Sequence, residues 1–512
     1  MIDITLLTPQ ELDRFLHLQS IVDRQAKASA RVRALRAYYD GDHPIMLTQR
    51  QQEFLGDLVS EGEFVFAHNL VRTVIDTLRE RIDVTGFAVN GEGADEPDDD
   101  EELGAAGQLA AQLWGWWNVN RLDSQQVRMY RRALRDGRAY AIVDFDNETG
   151  APRINLHRVD DGKTGVTFHR DPTDTNRVMF ANRYFYTFNP LEPGHTGLER
   201  KTTYLPNEIR KYIRRSGGDW SPYADEDAGV WPLPWVDGDG RPLGISVFEF
   251  ENPGGSEVAQ IIGLQNALNK SWLDLIAAAD MAGFPLIAVE YDGDGQPLEN
   301  ITDDDDLRGA DEFRIAPGRA IEVDNARVHR LEAANLQPMI DTTWAIVTAI
   351  AGVSRTPQYY LRPVGGGDVP SGEALKQMES GLVRRAEDRH RMFGQAWADV
   401  MSMCYRVAQT FGAGALPQLP QGEPVNIATQ WADANVRNEL VQAQVAQLHS
   451  GLGIPDERVW QLMGYEPEEI ARFSQQRRSD QAAQVANIAA ALRVDQQRQA
   501  PQTNPAPFEG GT

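Results

Sequence analysis

Histidine is the side chain that most often ligates metals and moves protons near neutral pH, and this chain holds nine, at positions 17, 43, 68, 157, 169, 195, 329, 390 and 449. No two stand three or four residues apart, the interval that places two imidazoles on one helix face, and no His-x-His pair occurs. A histidine-built metal centre is therefore not expected. Carboxylates offer two other places. Asp292-Gly293-Asp294-Gly295 opens like a calcium loop, but its twelfth position would be Asp303, and the glycine and glutamate such a loop needs are missing. Asp-Gly is first of all a hairpin-turn signal. Asp303, Asp304, Asp305 and Asp306 are consecutive, whereas a two-metal phosphodiesterase centre draws its carboxylates from separate strands and fixes them with outer partners. The run reads as solvated surface. Gly365, Gly366 and Gly367 lack the lysine and preceding strand of a phosphate loop, and there is no Gly-x-Ser-x-Gly elbow. The sequence thus predicts no catalytic residue, no cofactor and no metal site. Cys404 is the one cysteine; it excludes an internal disulfide and reads as a small core residue of a helix.

Bulk properties narrow the class further. The chain has 512 residues, 41% of them hydrophobic, which is enough for a buried core and several domains. Fifty Lys and Arg against 75 Asp and Glu give a formal charge of −25, which opposes a tight general grip on a polyanion. The N-terminus lacks a basic stretch followed by an apolar one, so no secretion signal is read there. The best apolar run, Leu275 to Val289, is interrupted by Asp280, Gly283 and Pro285, so no membrane span or membrane partner is expected.

The periodicity predicts a mixed chain. Thr8, Pro9 and Glu11 mark a helix start that leads, in one helix or a pair, to about Tyr39, where Asp40-Gly41-Asp42-His43-Pro44 turns the chain. A helix over 69–81, a short strand at 84–87, an exposed acidic loop at 90–102 and a helix carrying Trp114, Trp116 and Trp117 follow. A further helix from Leu122 to Asp136 meets Gly137 at its cap. To about residue 252 the chain reads as strand and loop, with strands at 140–145, 154–157, 183–188 and 201–205 and a turn at Asp237 to Gly240. A strong helix then spans 257–282, a compact β insert follows with strands at 286–291, 313–315 and 320–323, and a second helix covers 335–353. The prolines and three consecutive glycines between 354 and 370 speak against regular structure. The longest helix runs from 371 to about Thr410 with a possible kink at Gly394; smaller helices follow, including one at 435–449, and the tail from Pro501 reads as disordered.

Four separated blocks resemble the portal proteins of tailed bacteriophages, in particular siphophages of actinobacterial hosts. They are Tyr38 to Pro44 with Asn69 to Asp76 and Val84 to Phe87; Asn120 to Asp123 with Leu134 to Tyr140; Phe250 to Asn252 with Ser256-Glu257, Leu264 to Lys270 and Gly283 to Pro285; and Ala351 to Pro357 with Ser371 to Lys376. The resemblance implies an α+β portal fold that assembles into a ring: a wing over 1–256, stem helices at 257–282 and 335–353, a β-rich clip at 283–334 and a tunnel loop at 354–370. A long wing helix at 371–411, a helical crown region at 412–500 and a tail at 501–512 complete it. It further implies a non-enzymatic ring of twelve copies at a capsid vertex of the virion, assembled in the host cytoplasm, through which double-stranded DNA is packaged and ejected. Terminase, the major capsid and scaffolding proteins and a head-tail connector would be its partners. In that setting Arg355, Tyr359, Tyr360, Arg362 and the glycines 365–367 would approach the duplex or neighbouring loops, with Lys270, Trp272 and Trp344 in the stem. The tyrosines could equally pack the base of the loop and the arginines pair with nearby acids. Two other classes stand beside this one: another ring-forming phage connector or baseplate hub, and an acidic metal-dependent nuclease using Asp304 and Asp305.

Overall fold

The computed structural model describes residues 7–24, 26–44, 68–90, 104–188, 197–214, 218–224, 229–283, 287–291, 326–330, 335–362, 372–412 and 425–435, with a few positions between 414 and 477. The chain runs through helices α1 (Pro9–Asp23), α2 (Ala26–Asp40) and α3 (Leu70–Arg79), strand β1 (Val84–Val89), and helices α4 (Ala105–Val119) and α5 (Leu122–Asp136). Nine strands follow: β2 (Arg138–Asp146), β3 (Ala151–Arg158), β4 (Gly165–Arg170), β5 (Val178–Thr187), β6 (Leu198–Tyr204), β7 (Glu208–Arg214), the short β8 (Ser221–Pro222) and β9 (Leu233–Pro234), and β10 (Val247–Glu251). Then come α6 (Glu257–Gly283), β11 (Ile287–Tyr291), β12 (Ala326–Arg330), α7 (Gln337–Ser354), α8 (Gln358–Leu361), α9 (Gly372–Phe411) and β13 (Ile427–Trp431). The fold is α+β, and it divides into one unit of residues 1–32, 78–255 and 370–512 and another of 33–77 and 256–369.

The first unit is organised by α9. Its buried Phe393 and Trp397 meet rings from three other elements: Trp397 lies 4.9 Å from Trp117 of α4 and 4.8 Å from Phe250 of β10, both edge to face, and Phe393 stacks on Tyr130 of α5 at 5.5 Å. The Trp397 indole N–H donates to the Tyr130 hydroxyl at 2.9 Å, so these two polar tips satisfy one another, whereas the buried Trp117 Nε1 has no hydrogen-bond partner among the described residues. Strand β10 extends an antiparallel sheet in the order β10-β2-β3, while β4 to β8 form a second antiparallel sheet with β9 also on β7. Helix α1 lies on one face of that second sheet. Leu12 and Leu16 pack with Phe180 and Leu205, Asp13 accepts hydrogen bonds from Arg210 and Tyr212 at 2.5 and 2.6 Å, and Asp23 accepts from Thr167 and His169 at 2.9 and 3.0 Å. Strand β13 pairs antiparallel with β1.

Several local features follow the rules that predict them. Thr8 and Glu11 form a reciprocal capping box at α1, and α5 stops at Gly137 in the left-handed region, φ 87°. Asp237 Oδ1 accepts from the backbone of Asp239 and Arg241, closing the expected turn. Differences also have causes. The segment read as free of regular structure contains α8, because Pro357 sits at its N-cap, where no amide donor is needed. Strand β7 escapes a hydropathy reading because its buried positions include Arg210 and Tyr212, whose polar ends are met by Asp13. Gly394 is a point of close approach within a continuous α9: a Cβ there would lie 3.1 Å from the Trp431 indole nitrogen. Cys404 is buried on α9. Apart from their first residues Asn90 and Asn435, the expected acidic loop at 90–102 and helix at 435–449 lie outside the described residues, as do the acidic loop at 303–306, the strands at 313–315 and 320–323 and the tail at 501–512; the described partner of β11 is β12.

Truncating Trp397 to Ala removes the ring that joins α4, β10 and α9, and is expected to cost about 3–5 kcal/mol of unfolding free energy. Trp397→Phe, which keeps one ring of the packing and loses the other together with the hydrogen bond to Tyr130, should cost distinctly less. Guanidinium denaturation of the two variants beside the parent checks the order.

Candidate functional site

The second unit holds the helix pair that the sequence singles out, and its polar groups explain how α6 is set. Gln265 and Asn269 stand one turn apart on the buried face of α6, among Val258, Ile261, Leu268 and Leu273. A buried carboxamide must find partners for its donors and acceptor or cost several kcal/mol. Gln265 Nε2 donates to the His68 carbonyl at 2.7 Å and to Asn269 Oδ1 at 3.0 Å, and its Oε1 accepts from the Leu70 amide at 3.1 Å, at the start of α3. Asn269 Nδ2 lies 2.9 Å from His43 Nδ1, and His43 Nε2 lies 2.7 Å from the Tyr38 carbonyl. Because the carbonyl only accepts, Nε2 carries the proton and Nδ1 accepts from Asn269, which fixes one neutral tautomer. The Tyr38 hydroxyl donates to Asn266 at 2.8 Å, Asn69 to the Tyr39 carbonyl at 2.9 Å and Tyr39 to Asp76 at 2.8 Å. Burial holds the His43 imidazole below its ordinary value, against the pull of the Tyr38 carbonyl, and burial does the same to His68.

Above this clasp α6 packs on α7. Ser271 and Thr343 hydroxyls meet at 2.7 Å, and Trp272 and Trp344 cross edge to face at 6.3 Å. His68 stacks on Trp272 at 5.7 Å, and the buried Trp272 Nε1 has no hydrogen-bond partner in the described structure. Lys270 is half-buried and paired with Asp274 one turn on.

The chain then leaves α7 at Arg355, which adopts a left-handed φ of 49° as the C-cap. Arg355 is exposed and makes no ion pair with a described residue. Tyr359 and Tyr360 lie in α8, half-buried, with ring centroids 4.5 Å apart. Gln358 donates to Thr348 at 2.9 Å, and the Arg362 guanidinium lies 4.4 Å over the Trp344 ring. The structure therefore brings together three of the residues singled out from sequence, Trp272, Trp344 and Arg362, and sets Arg355 apart from them at the helix end. Gly365, Gly366 and Gly367 lie outside the described residues. The clasp residues His43, Gln265 and Asn269 were given no role from sequence. Their signal was present: a glutamine and an asparagine four apart on an otherwise apolar helical face. Among the described residues no three His, Cys, Asp or Glu are grouped to hold a metal ion, and no helix is long and apolar enough to cross a membrane.

Residues 18–483 match the family described as phage portal protein, SPP1 Gp6-like. Two curated relatives are each named portal protein: that of Mycobacterium phage D29, 25% identical over 461 residues covering 87% of this chain and 85% of the relative, and that of Mycobacterium phage L5, 25% identical over 459 residues covering 86% and 84%. Among solved structures, an HK97-family phage portal protein from Corynebacterium diphtheriae covers 72% of this chain and 93% of its own, at 12% identity and a TM-score of 0.32.

Replacing Asn269 with Leu leaves His43 Nδ1 and a Gln265 donor without partners inside the unit, and is expected to cost about 1–3 kcal/mol in chemical denaturation. The clasp also makes stability pH-dependent. With the folded pKa values of His43 and His68 below the ordinary 6.5, the unfolded chain binds protons first as pH falls. The stabilisation is complete above that value and is lost below it. Thermal midpoints measured from about pH 7.5 to pH 5 should fall, and fall less steeply in His43→Gln.

Proposed function

The chain belongs to the SPP1 Gp6-like family of phage portal proteins, and from that membership we propose that twelve copies close into a ring at one capsid vertex and form the channel for double-stranded DNA packaging and ejection. Portal proteins are structural, non-enzymatic components of the virion that form rings and associate with the capsid. The finer reading gives this chain a terminase docking site, contacts with the major capsid and scaffolding proteins, a seat for the head-tail connector, and assembly in the host cytoplasm. The observation that carries it is the family match, which runs through both helices of the pair, the hairpin between them and α9.

On this reading 1–256 and the helix at 371–411 form the wing, 257–282 and 335–353 the stem, 283–334 the clip, 354–370 the tunnel loop and 412–500 the crown. Two features support a passive channel. A formal charge of −25 per chain, multiplied around a ring, repels phosphate, so a duplex driven by a motor meets few Coulomb wells in which to settle. Against that background Arg355, exposed at the C-cap of α7 and without an ion pair among the described residues, and the residues after it, Tyr359, Tyr360, Arg362 and Gly365 to Gly367, are the groups proposed to meet DNA or the neighbouring loop. Arg362 would do so from its stacked position on Trp344.

Negative-stain images of the purified chain should show rings with an axial hole; a persistent monomer under assembly conditions rejects the reading. Replacing Gly365 to Gly367 with a stiff Pro-Ala-Pro segment should leave rings intact and lower the amount of DNA packaged per particle. Undiminished packaging would remove the glycine loop from the mechanism.

A further inference from the structure

Against the acidity of the chain, at −25, a concave site among the described residues gathers four cations, Arg183, Arg200, Lys201 and Lys211, with one acid, Asp144, in a largely aromatic lining. It lies wholly in the first unit, on the face of the β4 to β8 sheet turned away from α1. Strand register builds that face. Arg183 of β5 stands opposite Thr202 of β6, and Thr202 opposite Lys211 of β7; in the next row Phe185 stands opposite Arg200. Asn182, Tyr184, Arg210 and Tyr212, the alternate residues, point to the α1 side, as the two-residue repeat of a strand requires. The opposing wall consists of Asp144 and Phe145 of β2, Trp235, and Phe411 at the end of α9, and the space enclosed is about 610 Å³. That is the size of a site for a small ligand or a few peptide side chains.

The cations are prepared for a planar acceptor. The Arg183 guanidinium lies 4.6 Å over the ring of Phe185, and that of Arg200 4.5 Å over Tyr223. Stacking fixes the plane of a guanidinium and leaves its edge donors for carboxylate oxygens. Arg200 uses its Nε on Thr187 Oγ1 at 3.0 Å, and neither arginine has a carboxylate at ion-pair distance among the described residues. The one acid in the lining, Asp144, is pushed toward its neutral form by burial, against the pull of Arg183 and Lys211. The cavity therefore keeps a net positive charge. Its other half is aromatic: Phe411 is 41% exposed, with its ring 5.8 Å from Phe145 and 5.7 Å from Trp235.

We propose that this cavity docks a short acidic peptide segment of a partner protein, whose carboxylates pair with Arg183 and Arg200 while an apolar side chain rests on Phe145, Trp235 and Phe411. Bidentate carboxylate pairing suits stacked arginines, and the aromatic floor supplies the apolar contact area. A nucleic acid is disfavoured on two grounds. The volume holds side chains and no base-paired stack, and repulsion from the acidic chain grows with every phosphate that extends beyond the cavity, whereas a segment with a few carboxylates ends inside it.

The test uses the full chain and fluorescence anisotropy of a dye-labelled Glu-Glu-Phe-Glu-Glu peptide at low salt. Saturable binding is expected, at least tenfold tighter than for Gln-Gln-Phe-Gln-Gln and weakened by added salt. The double variant Arg183→Gln with Arg200→Gln should lose at least tenfold in affinity with unchanged circular dichroism; should that variant unfold, Arg200→Gln alone, which keeps the charge of Arg183 acting on Asp144, is expected to lose at least threefold. No saturation, equal binding of the neutral peptide, undiminished binding by the folded variant, or preference for a single-stranded oligonucleotide overturns the proposal. Ring formation does not enter the measurement, so its outcome is separate from that of the channel reading.

Discussion

A carboxamide buried on an apolar helix face tolerates almost no freedom in what surrounds it. Gln265 and Asn269 between them engage the backbone before and at the start of α3, the imidazole of His43, and each other. If any of these groups were missing, a donor or acceptor would be stranded where water does not reach, at a cost comparable to a good share of a domain's whole stability. The helix is thus fixed in rotation and in height by hydrogen bonds whose geometry is directional, and the apolar contacts around it, which are not directional, fill in afterwards. Everything further along α6 inherits that setting, including the Ser271 contact and the crossing of Trp272 with Trp344.

The same demand explains what could be read from the bare sequence and what could not. Elements whose cues are local were legible: the capping box at Thr8, the glycine stop after α5, and the long helices α6, α7 and α9, whose apolar stripes repeat over many turns. Elements that depend on distant partners were hidden. Strand β7 looks too charged to be half-buried until Asp13 of α1 is seen to meet Arg210 and Tyr212. Strand β13 is five residues long and gains its identity only from β1. In the helix pair, Trp272 and Trp344 were visible as bulky residues in plausible places, but that Arg362 lies on Trp344 depends on where α8 turns, which no spacing rule specifies. The clasp was written in the sequence as individual letters, and the meaning of His43 waits on Asn269, far along the chain.

Charge is divided in the same purposeful way. The chain as a whole is strongly acidic, and several of its arginines are matched by carboxylates: Arg24 by Asp160 and Glu199, Arg210 by Asp13 and Glu208, Arg138 by Glu249 and Glu251. Arg355 at a helix end and Arg183 with Arg200 in a cavity have no such carboxylate among the described residues. Ions left unmatched on a protein of the opposite net sign are where an external partner gains most from electrostatic complementarity.

The pairing of β1 with β13 bears on how the chain is made. Strand β1 leaves the ribosome early, yet its partner emerges about 340 residues later, a closure of very high contact order that is slow to form and leaves a bare strand edge until it does. A nascent polypeptide therefore keeps this edge open until β13 has emerged, and a prematurely terminated product lacking β13 would carry an open edge and stay liable to aggregation. Only chains that extend past β13 would then close this edge, which amounts to a length check built into the architecture, operating before any subunit meets another.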